Sequence, residues 1–188
     1  MNLTGGGGVN ANKERYQALK LARESLAYFL NYQQYMSIPK EMPPLFYTKR
    51  GAFVSIKDEL GSLRGCIGTL EATRDNLAEE IIYNSVSAGL NDPRFSPIQI
   101  QELEELVFSV DVISPLEKIS GINQLQPDRY GVVVESGFRR GVLLPDLPGV
   151  DTAKKQLTIA AEKADLSPND EDLNLYRFEV TRFNEITI

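Results

Sequence analysis

Apolar residues recur every three to four positions in three stretches of the chain, and this spacing predicts helices. The predicted helices cover residues 13–32, 75–88 and 151–164, with Asp75 and Asp151 as the expected N-caps of the second and third. The first helix should bury a stripe made of Tyr16, Leu19, Ala22, Leu26, Phe29 and Leu30. The inner face of the second should hold Leu77, Ile81, Ile82, Ser85, Val86 and Ala88.

Short apolar runs bounded by glycine and polar residues predict strands. Two pairs of runs are separated by short turns, one containing Gly61 and the other Gly137, so each pair should form a hairpin. The predicted strands are residues 51–56, 63–70, 106–113, 131–135, 142–145 and 175–183. Helices interspersed with hairpins indicate an α+β fold with a mixed, largely antiparallel sheet.

The order hairpin, helix and strand occurs twice, in residues 51–115 and in residues 131–185. Matching residues follow in the same order in both segments: Gly51 with Gly131, Arg64-Gly65 with Arg140-Gly141, and Ser96-Pro97 with Ser167-Pro168. We therefore predict an internally duplicated hairpin–helix–strand unit. Coincidence is the alternative, because glycine, arginine and Ser-Pro pairs are common.

The composition is that of an ordinary globular protein, with 42% hydrophobic and 24% charged residues among 188. Residues 1–12 are rich in glycine and predict a flexible arm, and residues 13–188 predict one domain. No apolar stretch approaches the about 20 residues of a membrane helix, and no secretory signal opens the chain. A single cysteine forms no internal disulfide, so we expect a cytoplasmic location.

The charges and missing residue types exclude several function classes. The net charge of −6 argues against binding nucleic acid through its phosphates. The absence of histidine excludes a Ser-His-Asp or Cys-His arrangement and a histidine-ligated metal site within the chain. One cysteine also excludes a cysteine-rich zinc site or an iron–sulfur cluster built from this chain alone. We predict no metal and no cofactor.

The run Leu-Arg-Gly-Cys-Ile-Gly-Thr at residues 63–69 contains the only cysteine. Side chains alternate between the faces of a strand, so Arg64, Cys66 and Gly68 should share the face turned away from the core. A cation, a thiol and an empty position in a row describe the floor of a small cleft. A nearby positive charge also favours the thiolate, the reactive form of cysteine.

Each residue of this run also has a plainer interpretation. Cys66 is either a small buried hydrophobic residue, a reactive or ligand-contacting thiol, or a redox-sensing surface thiol. Arg64 either pairs with a carboxylate at a strand edge or holds the anionic group of a ligand. Gly65 and Gly68 either satisfy the backbone of the hairpin or leave room for a ligand.

A second polar cluster, Asn-Asp-Pro-Arg-Phe-Ser-Pro, occupies residues 91–97 and predicts a rigid turn. We expect it close to the strand of Arg64 and Cys66, because the intervening helix must return across the sheet. Asp92 and Arg94 either bind a small molecule there, or cap backbone N–H groups and pair with each other.

These two motifs, followed by Gly-Val-Leu-Leu-Pro-Asp-Leu at residues 141–147, resemble the AMMECR domain family over residues 13–183. Its bacterial and archaeal members are called AmmeMemoRadiSam system protein A. The resemblance implies an α+β fold with a larger and a smaller lobe and a cleft between them. It also implies a role beside a Memo-like, dioxygenase-related protein and a radical SAM protein, but no settled reaction. The motif positions that it marks as candidate site residues are Arg64, Gly65, Cys66 and Gly68, with Asp92 and Arg94 as the second choice. Thr69, the last residue of the first motif, is a further candidate ligand-binding residue.

Three hypotheses follow. The favoured one is a cytoplasmic accessory protein that binds a small molecule or a partner enzyme in a cleft floored by Arg64 and Cys66. The second is an enzyme with Cys66 as nucleophile, Arg64 lowering its pKa, and Asp92 or a tyrosine moving protons; the missing histidine weakens it. The third is a protein-interaction module that uses the tyrosine-rich N-terminal helix, in which case deleting residues 1–35 should leave the remainder folded.

Overall fold

The computed structural model describes residues 6–170 and 172–185, and it has the predicted α+β fold. The helices are α1 (Gly6–Tyr32), α2 (Leu77–Leu90) and α3 (Ala153–Glu162), with short 3-10 helices at Pro44–Tyr47, Ile100–Glu105 and Ile122–Gln124. The strands are β1 (Ala52–Lys57), β2 (Leu63–Gly68), β3 (Val107–Ile113), β4 (Glu117–Ile119), β5 (Tyr130–Ser136), β6 (Arg139–Leu143) and β7 (Asn174–Asn184). The pairs β1–β2, β1–β3, β4–β7, β5–β6 and β5–β7 are antiparallel, as predicted.

Residues 6–112, together with residues 182–185, form a first compact unit. Its strands lie in the order β2-β1-β3; α2 packs on β1 and β2, and α1 packs against α2. The buried residues of β1 alternate, so every second side chain faces these helices. The core contains, among others, Leu21, Leu26, Phe46, Ala52, Val54, Ile56, Ile81, Ile82, Phe108 and Val110.

Helix α1 begins at Gly6, earlier than the predicted residue 13, and residues 1–5 of the predicted arm lie outside the described residues. Leu19, Ala22 and Leu26 are buried as predicted, but Tyr16 is 61% exposed, so its assignment to the buried stripe is wrong. At 100° per residue, Tyr16 lies about 120° around the helix from Ala22, at the margin of the buried face.

Helix α2 buries the inner face that the spacing predicts, and all six of its predicted residues are buried. The cap is Asn76 rather than the predicted Asp75, because the Asn76 side chain accepts a hydrogen bond from the N–H of Glu79 at 3.0 Å. The helix continues to Leu90, two residues past the predicted end, and Gly89 within it leaves room for the side chain of Leu26.

Ile113–Thr181 forms the second unit. Its strands lie in the order β4-β7-β5-β6, and α3 packs against β5 and β6. The cap of α3 is Thr152 rather than the predicted Asp151, since the Thr152 hydroxyl accepts from the N–H of Lys155 at 3.2 Å. The core of this unit contains Ile119, Leu125, Val132, Val134, Leu143, Leu157, Ala160, Ala161, Ala164 and Leu166.

Both units contain a hairpin, a helix and a returning strand, in the order expected from the sequence repeat. In each unit the returning strand lies beside the first strand of the hairpin. In each unit a glycine on the second strand lies directly under a helix: a Cβ at Gly65 would overlap the Ala88 carbonyl, and one at Gly141 would overlap the Ala160 carbonyl. The common origin of the two segments stays a prediction.

Candidate functional site

The thiol of Cys66 lies on the face of β2 that is turned away from the helices, and it is half-buried. Cys66 is paired across the hairpin with Ser55 on β1, whose hydroxyl donates a hydrogen bond to Sγ at 3.1 Å. Side chains of such directly opposed residues are close neighbours on one face of the sheet. The sulfur is therefore neither sealed in the core nor free of partners.

The outer edge of β2 at Cys66 is covered by the 91–97 turn, as expected from the sequence. The Asp92 carboxylate accepts a hydrogen bond from the N–H of Cys66 at 2.9 Å, and Nη2 of Arg94 donates to the Cys66 carbonyl at 3.3 Å. Side chains thus take the place of a neighbouring strand and satisfy both backbone groups. We call this pair of contacts the Asp92–Arg94 clamp.

Asp92 and Arg94 are tightly bonded to each other. The Asp92 carboxylate has 2% of its side-chain surface exposed, and it accepts from Nη2 of Arg94 at 2.7 Å and from Nε at 2.9 Å. The Arg94 side chain, aided by the N–H of Cys66, holds the pKa of Asp92 well below its ordinary value despite partial burial. The same bond raises the pKa of Arg94. Asp92 is therefore ionised near neutral pH.

Arg64 does not lie open beside the thiol. A β-bulge leaves it without a partner on β1, because Ile56 pairs with Gly65 and Lys57 with Leu63. Its guanidinium forms an ion pair with Glu102 at 3.0 Å and donates to the Ser96 carbonyl at 2.5 Å.

Glu102 in turn closes a capping box with Gln99 at the start of a 3-10 helix. The plainer interpretation of Arg64, a cation paired with a carboxylate, thus describes what the structure contains. The bulge is the physical reason that strict alternation misplaced this side chain.

The empty position expected at Gly68 is filled. A Cβ at Gly68 would overlap the ring of Phe53, its cross-strand partner, so the aromatic side chain covers the glycine. Gly65 is needed for the close approach of α2 at Ala88. Both glycines therefore serve packing in this structure, and the slot predicted beyond the thiol is absent.

Thr69 belongs to a buried network centred on Glu80 of α2, which is 1% exposed. The Glu80 carboxylate accepts from the hydroxyl of Thr69, and from the N–H groups of Thr73 and Arg74 at 2.9 Å each. Asn84 donates to the same carboxylate at 3.3 Å. These bonds fix the segment that links β2 to α2, so Thr69 is oriented toward this network and away from Cys66.

The charged groups near Cys66 are bonded in pairs. Asp92 is a poor proton acceptor, since a general base works best with a pKa near the working pH. The guanidinium of Arg64 is bonded to Glu102, and that of Arg94 to Asp92. Hydrogen bonds join Ser55, Cys66, Asp92 and Arg94. Together with Phe53, the cross-strand partner of Gly68, we call these residues the thiol surface.

Tyrosines in α1 and just after its end form a separate aromatic group. Tyr28 and Tyr32 lie 4.7 Å apart between ring centroids, and Tyr35 stacks on Tyr83 of α2 at 4.0 Å. Because the opposite face of α1 supplies core residues such as Leu26, removing the helix would also remove part of the core. The tyrosines are therefore a surface of a core helix, and deleting residues 1–35 would not test that surface alone.

Comparison with known proteins identifies the family. The sequence profile of the AMMECR1 family matches residues 19–183. This chain belongs to the AMMECR1 family. An AMMECR1 relative from Thermotoga maritima is 48% identical over 147 residues, covering 78% of this chain and 83% of its own. The relative CA_C1420 from Clostridium acetobutylicum is 46% identical over 178 residues, covering 92% of this chain but only 37% of its own.

The fold agrees with a crystal structure from the same family. The uncharacterised protein PH0010 from Pyrococcus horikoshii is 30% identical and superposes with a TM-score of 0.80, covering 93% of this chain and 92% of its own. In the described residues of our structure, no helix combines the length and apolar character needed to cross a bilayer. The resemblance seen in the three sequence motifs is therefore confirmed.

Three residues around the site escaped the sequence analysis: Ser55, Glu102 and Glu80. Ser55 could have been found, because pairing the two predicted strands across the turn at Gly61 places it near Cys66. Glu102 and Glu80 carry no comparable pattern. Glu102 bonds Arg64 only because of the path of the chain at the bulge, and Glu80 bonds the 69–74 segment only because that segment folds back over α2.

Proposed function

We propose that this protein is a cytoplasmic accessory protein that docks on a partner enzyme through the thiol surface. Its proposed partners are Memo-like and radical SAM proteins, the kinds that the family resemblance implies. The observation that supports docking is the Asp92–Arg94 clamp, which fixes a half-exposed thiol on an edge strand without supplying a base. A patch held rigid before binding loses little entropy on association, which favours recognition.

The architecture of one relative supports a role beside a second protein. In the Clostridium acetobutylicum relative the matched region is 37% of the chain, whereas in the Thermotoga maritima relative it is 83%. The same domain thus occurs both within a much longer chain and nearly alone. Covalent joining raises the effective concentration of two modules that work together, so this distribution fits a domain with a partner.

The direct test is co-purification of the full chain with the Memo-like and radical SAM proteins, followed by mass spectrometry of any small molecule retained. We expect stable capture of at least one of the two proteins. A retained small molecule would add a ligand between the partners. Failure of the unchanged protein to capture either partner would contradict the proposal.

Three variants locate the docking surface. Ser55→Glu places a new charge within the thiol surface and should abolish capture, because Ser55 contacts Sγ of Cys66. Cys66→Ser retains shape and polarity, so capture should persist. Tyr32→Glu, on an exposed tyrosine of α1, is the control for the alternative surface. Loss of capture in Tyr32→Glu alone would move the docking site to the aromatic helix and overturn our assignment.

A catalytic role for Cys66 is the second candidate, and the Ser55 hydroxyl favours it. The Ser55 hydroxyl donates a hydrogen bond to Sγ of Cys66 at 3.1 Å and so orients the sulfur. The rate of alkylation of Cys66 by iodoacetamide at pH 7, compared with that of free cysteine, distinguishes a catalytic thiol from a docking surface. At least about tenfold faster alkylation that is lost in Ser55→Ala would support a nucleophile. Alkylation no faster than free cysteine would support docking.

A further inference from the structure

A cavity of about 450 Å³ lies within the second unit, and none of its lining residues belongs to the thiol surface. Small-molecule sites are typically about 300 to 1,000 Å³, mostly apolar, with a few polar groups that orient the ligand. The apolar part of this lining is formed by Ile122, Leu157, Leu173 and Leu175. The size and the apolar lining therefore suit a small molecule with an apolar body.

The charged part of the lining holds one group of each sign. Lys154 of α3 and Asp170 are both exposed and line the same cavity, but they do not form an ion pair with each other. Neither has another ion-pair partner in residues 6–170 and 172–185. Asp170 accepts one hydrogen bond, from the N–H of Ser167 at 3.2 Å, through one of its two carboxylate oxygens. The lining thus offers one cation and one carboxylate oxygen for a ligand.

This pair of charges selects a ligand that carries both signs. A simple anion would be attracted by Lys154 and repelled by Asp170, and a simple cation the reverse, so neither gains a clear advantage. A zwitterion matches both groups at once, because each of its charges faces the opposite one. The neutral side-chain amide of Asn169, also on the lining, can both donate and accept and suits either end.

We propose that this cavity binds an α-amino acid with a large apolar side chain. Its carboxylate would face Lys154, its ammonium group would face Asp170, and its side chain would lie on the leucines of the lining. This inference is independent of docking at the thiol surface, whose residues all belong to the first unit. L-phenylalanine is the probe. The matched compounds are 3-phenylpropionate, which lacks the ammonium group, and 2-phenylethylamine, which lacks the carboxylate.

The test is a titration of the full chain followed by two-dimensional amide NMR, which reports both affinity and location. L-phenylalanine should bind saturably and shift the amide signals of Ile122, Leu157 and Leu173, with those of Ser55 and Cys66 unchanged. It should bind more tightly than either matched compound by about two- to fivefold, the usual effect of one exposed ion pair.

Two charge variants should give a crossed pattern. Lys154→Gln should weaken L-phenylalanine and 3-phenylpropionate about two- to fivefold, and it should not weaken 2-phenylethylamine. Asp170→Asn should weaken L-phenylalanine and 2-phenylethylamine by a similar factor, and it should not weaken 3-phenylpropionate. The matched control is Lys155→Gln, an adjacent exposed lysine outside the lining, which should leave all three affinities unchanged.

A third variant tests the location. Thr158→Trp places a large side chain in the cavity and should abolish binding, while its amide spectrum shows whether the chain stays folded. Three results would each overturn the proposal: no saturable binding of L-phenylalanine to the unchanged protein, equal affinity in Lys154→Gln, Asp170→Asn and Lys155→Gln, or unchanged binding in a folded Thr158→Trp. Binding of either singly charged compound as tightly as L-phenylalanine would also contradict a zwitterion site.

Discussion

The two hairpin–helix–strand units share a framework in which a helix packs closely on the second strand of a hairpin. The close approach occurs at Gly65 in the first unit and at Gly141 in the second, and both follow an arginine. Each helix also buries a polar residue at its fourth position, Glu80 in α2 and Gln156 in α3. The framework alone therefore does not distinguish the units.

The units differ at the residue that follows this glycine. In the first unit Cys66 pairs with Ser55, and the Asp92–Arg94 clamp covers its outer edge. In the second, Val142 occupies the matching position and pairs with the buried Val133.

The Val142 carbonyl accepts a hydrogen bond from Nζ of Lys163 at 3.4 Å. The two units thus share the hairpin and helix but differ in the polar groups at this position. This difference is why we propose docking through the first unit.

The largest expected effect falls on the shared framework. Gly65→Ala and Gly141→Ala should each destabilise by about 3 kcal/mol, because the new methyl group overlaps a helix carbonyl that cannot move alone. The free energy of unfolding from urea titration measures this.

Gly61→Ala and Gly137→Ala are the controls. Both glycines have positive φ but open space, so about 1 kcal/mol is expected from backbone strain alone. Equal losses at Gly65 and Gly61 would show that the close approach of the helix is not what the framework requires.

The buried polar residues of the helices should rank second. Glu80→Gln replaces an acceptor of several hydrogen bonds by a group with only one acceptor oxygen, so we expect a loss of about 2 to 3 kcal/mol. In α3, Nε2 of Gln156 donates to the Tyr130 carbonyl at 2.6 Å, while Oε1 has no partner among the described residues.

Gln156→Leu should therefore lose only about 1 kcal/mol. Thermal unfolding of both variants shows which of the two loses more stability. A greater loss in Gln156→Leu than in Glu80→Gln would reverse the comparison.

Lowering the pH should remove the stability that the Asp92–Arg94 clamp contributes. The pKa of Asp92 is lower in the folded protein than in the unfolded chain, because Arg94 donates to its carboxylate. The stabilisation is therefore complete above the unfolded pKa of about 4 and is lost as the pH falls below it.

Between about pH 5 and about pH 2, the unchanged protein should lose stability more steeply than Asp92→Asn. Lys163→Ala removes the hydrogen bond to the Val142 carbonyl in the second unit, and it should leave this pH dependence unchanged. If the free energy of unfolding fell equally with pH in the unchanged protein and in Asp92→Asn, the clamp would not contain an ionised Asp92.

The smallest effect is expected from exchanging the thiol for its counterpart. Cys66→Val introduces the residue found at position 142, and stability should change by less than about 1 kcal/mol, since the site is half-exposed and the volumes are similar. Urea titration measures the change. A large loss would mean that the sulfur is part of the packing and that Cys66 has a structural role.

Much of this framework could be predicted from the sequence. The periodic spacing of apolar residues located the three helices, and the paired runs located both hairpins, because burial imposes these periods on the chain. The helix ends were less accurate, since Asp75 and Asn76, or Asp151 and Thr152, are adjacent residues that can all cap a helix.

The site was predicted less completely, for a physical reason. Strict alternation along β2 places Arg64 beside Cys66, but a bulge, which no local pattern marks, redirects Arg64 to Glu102. The prediction of an open slot at Gly68 was also wrong. A glycine in a strand leaves room for a neighbouring aromatic ring as well as for a ligand, and here the ring of Phe53 fills it. The closeness of the 91–97 turn to Cys66 followed correctly from the path of the intervening helix.

Amide hydrogen exchange in the presence and absence of a captured partner tests the central claim most directly. If the thiol surface docks, the partner should slow exchange at Ser55, Cys66 and Arg94 while leaving Val133 and Val142 unchanged. Slowed exchange confined to the second unit or to α1, with Cys66 unaffected, would contradict the account.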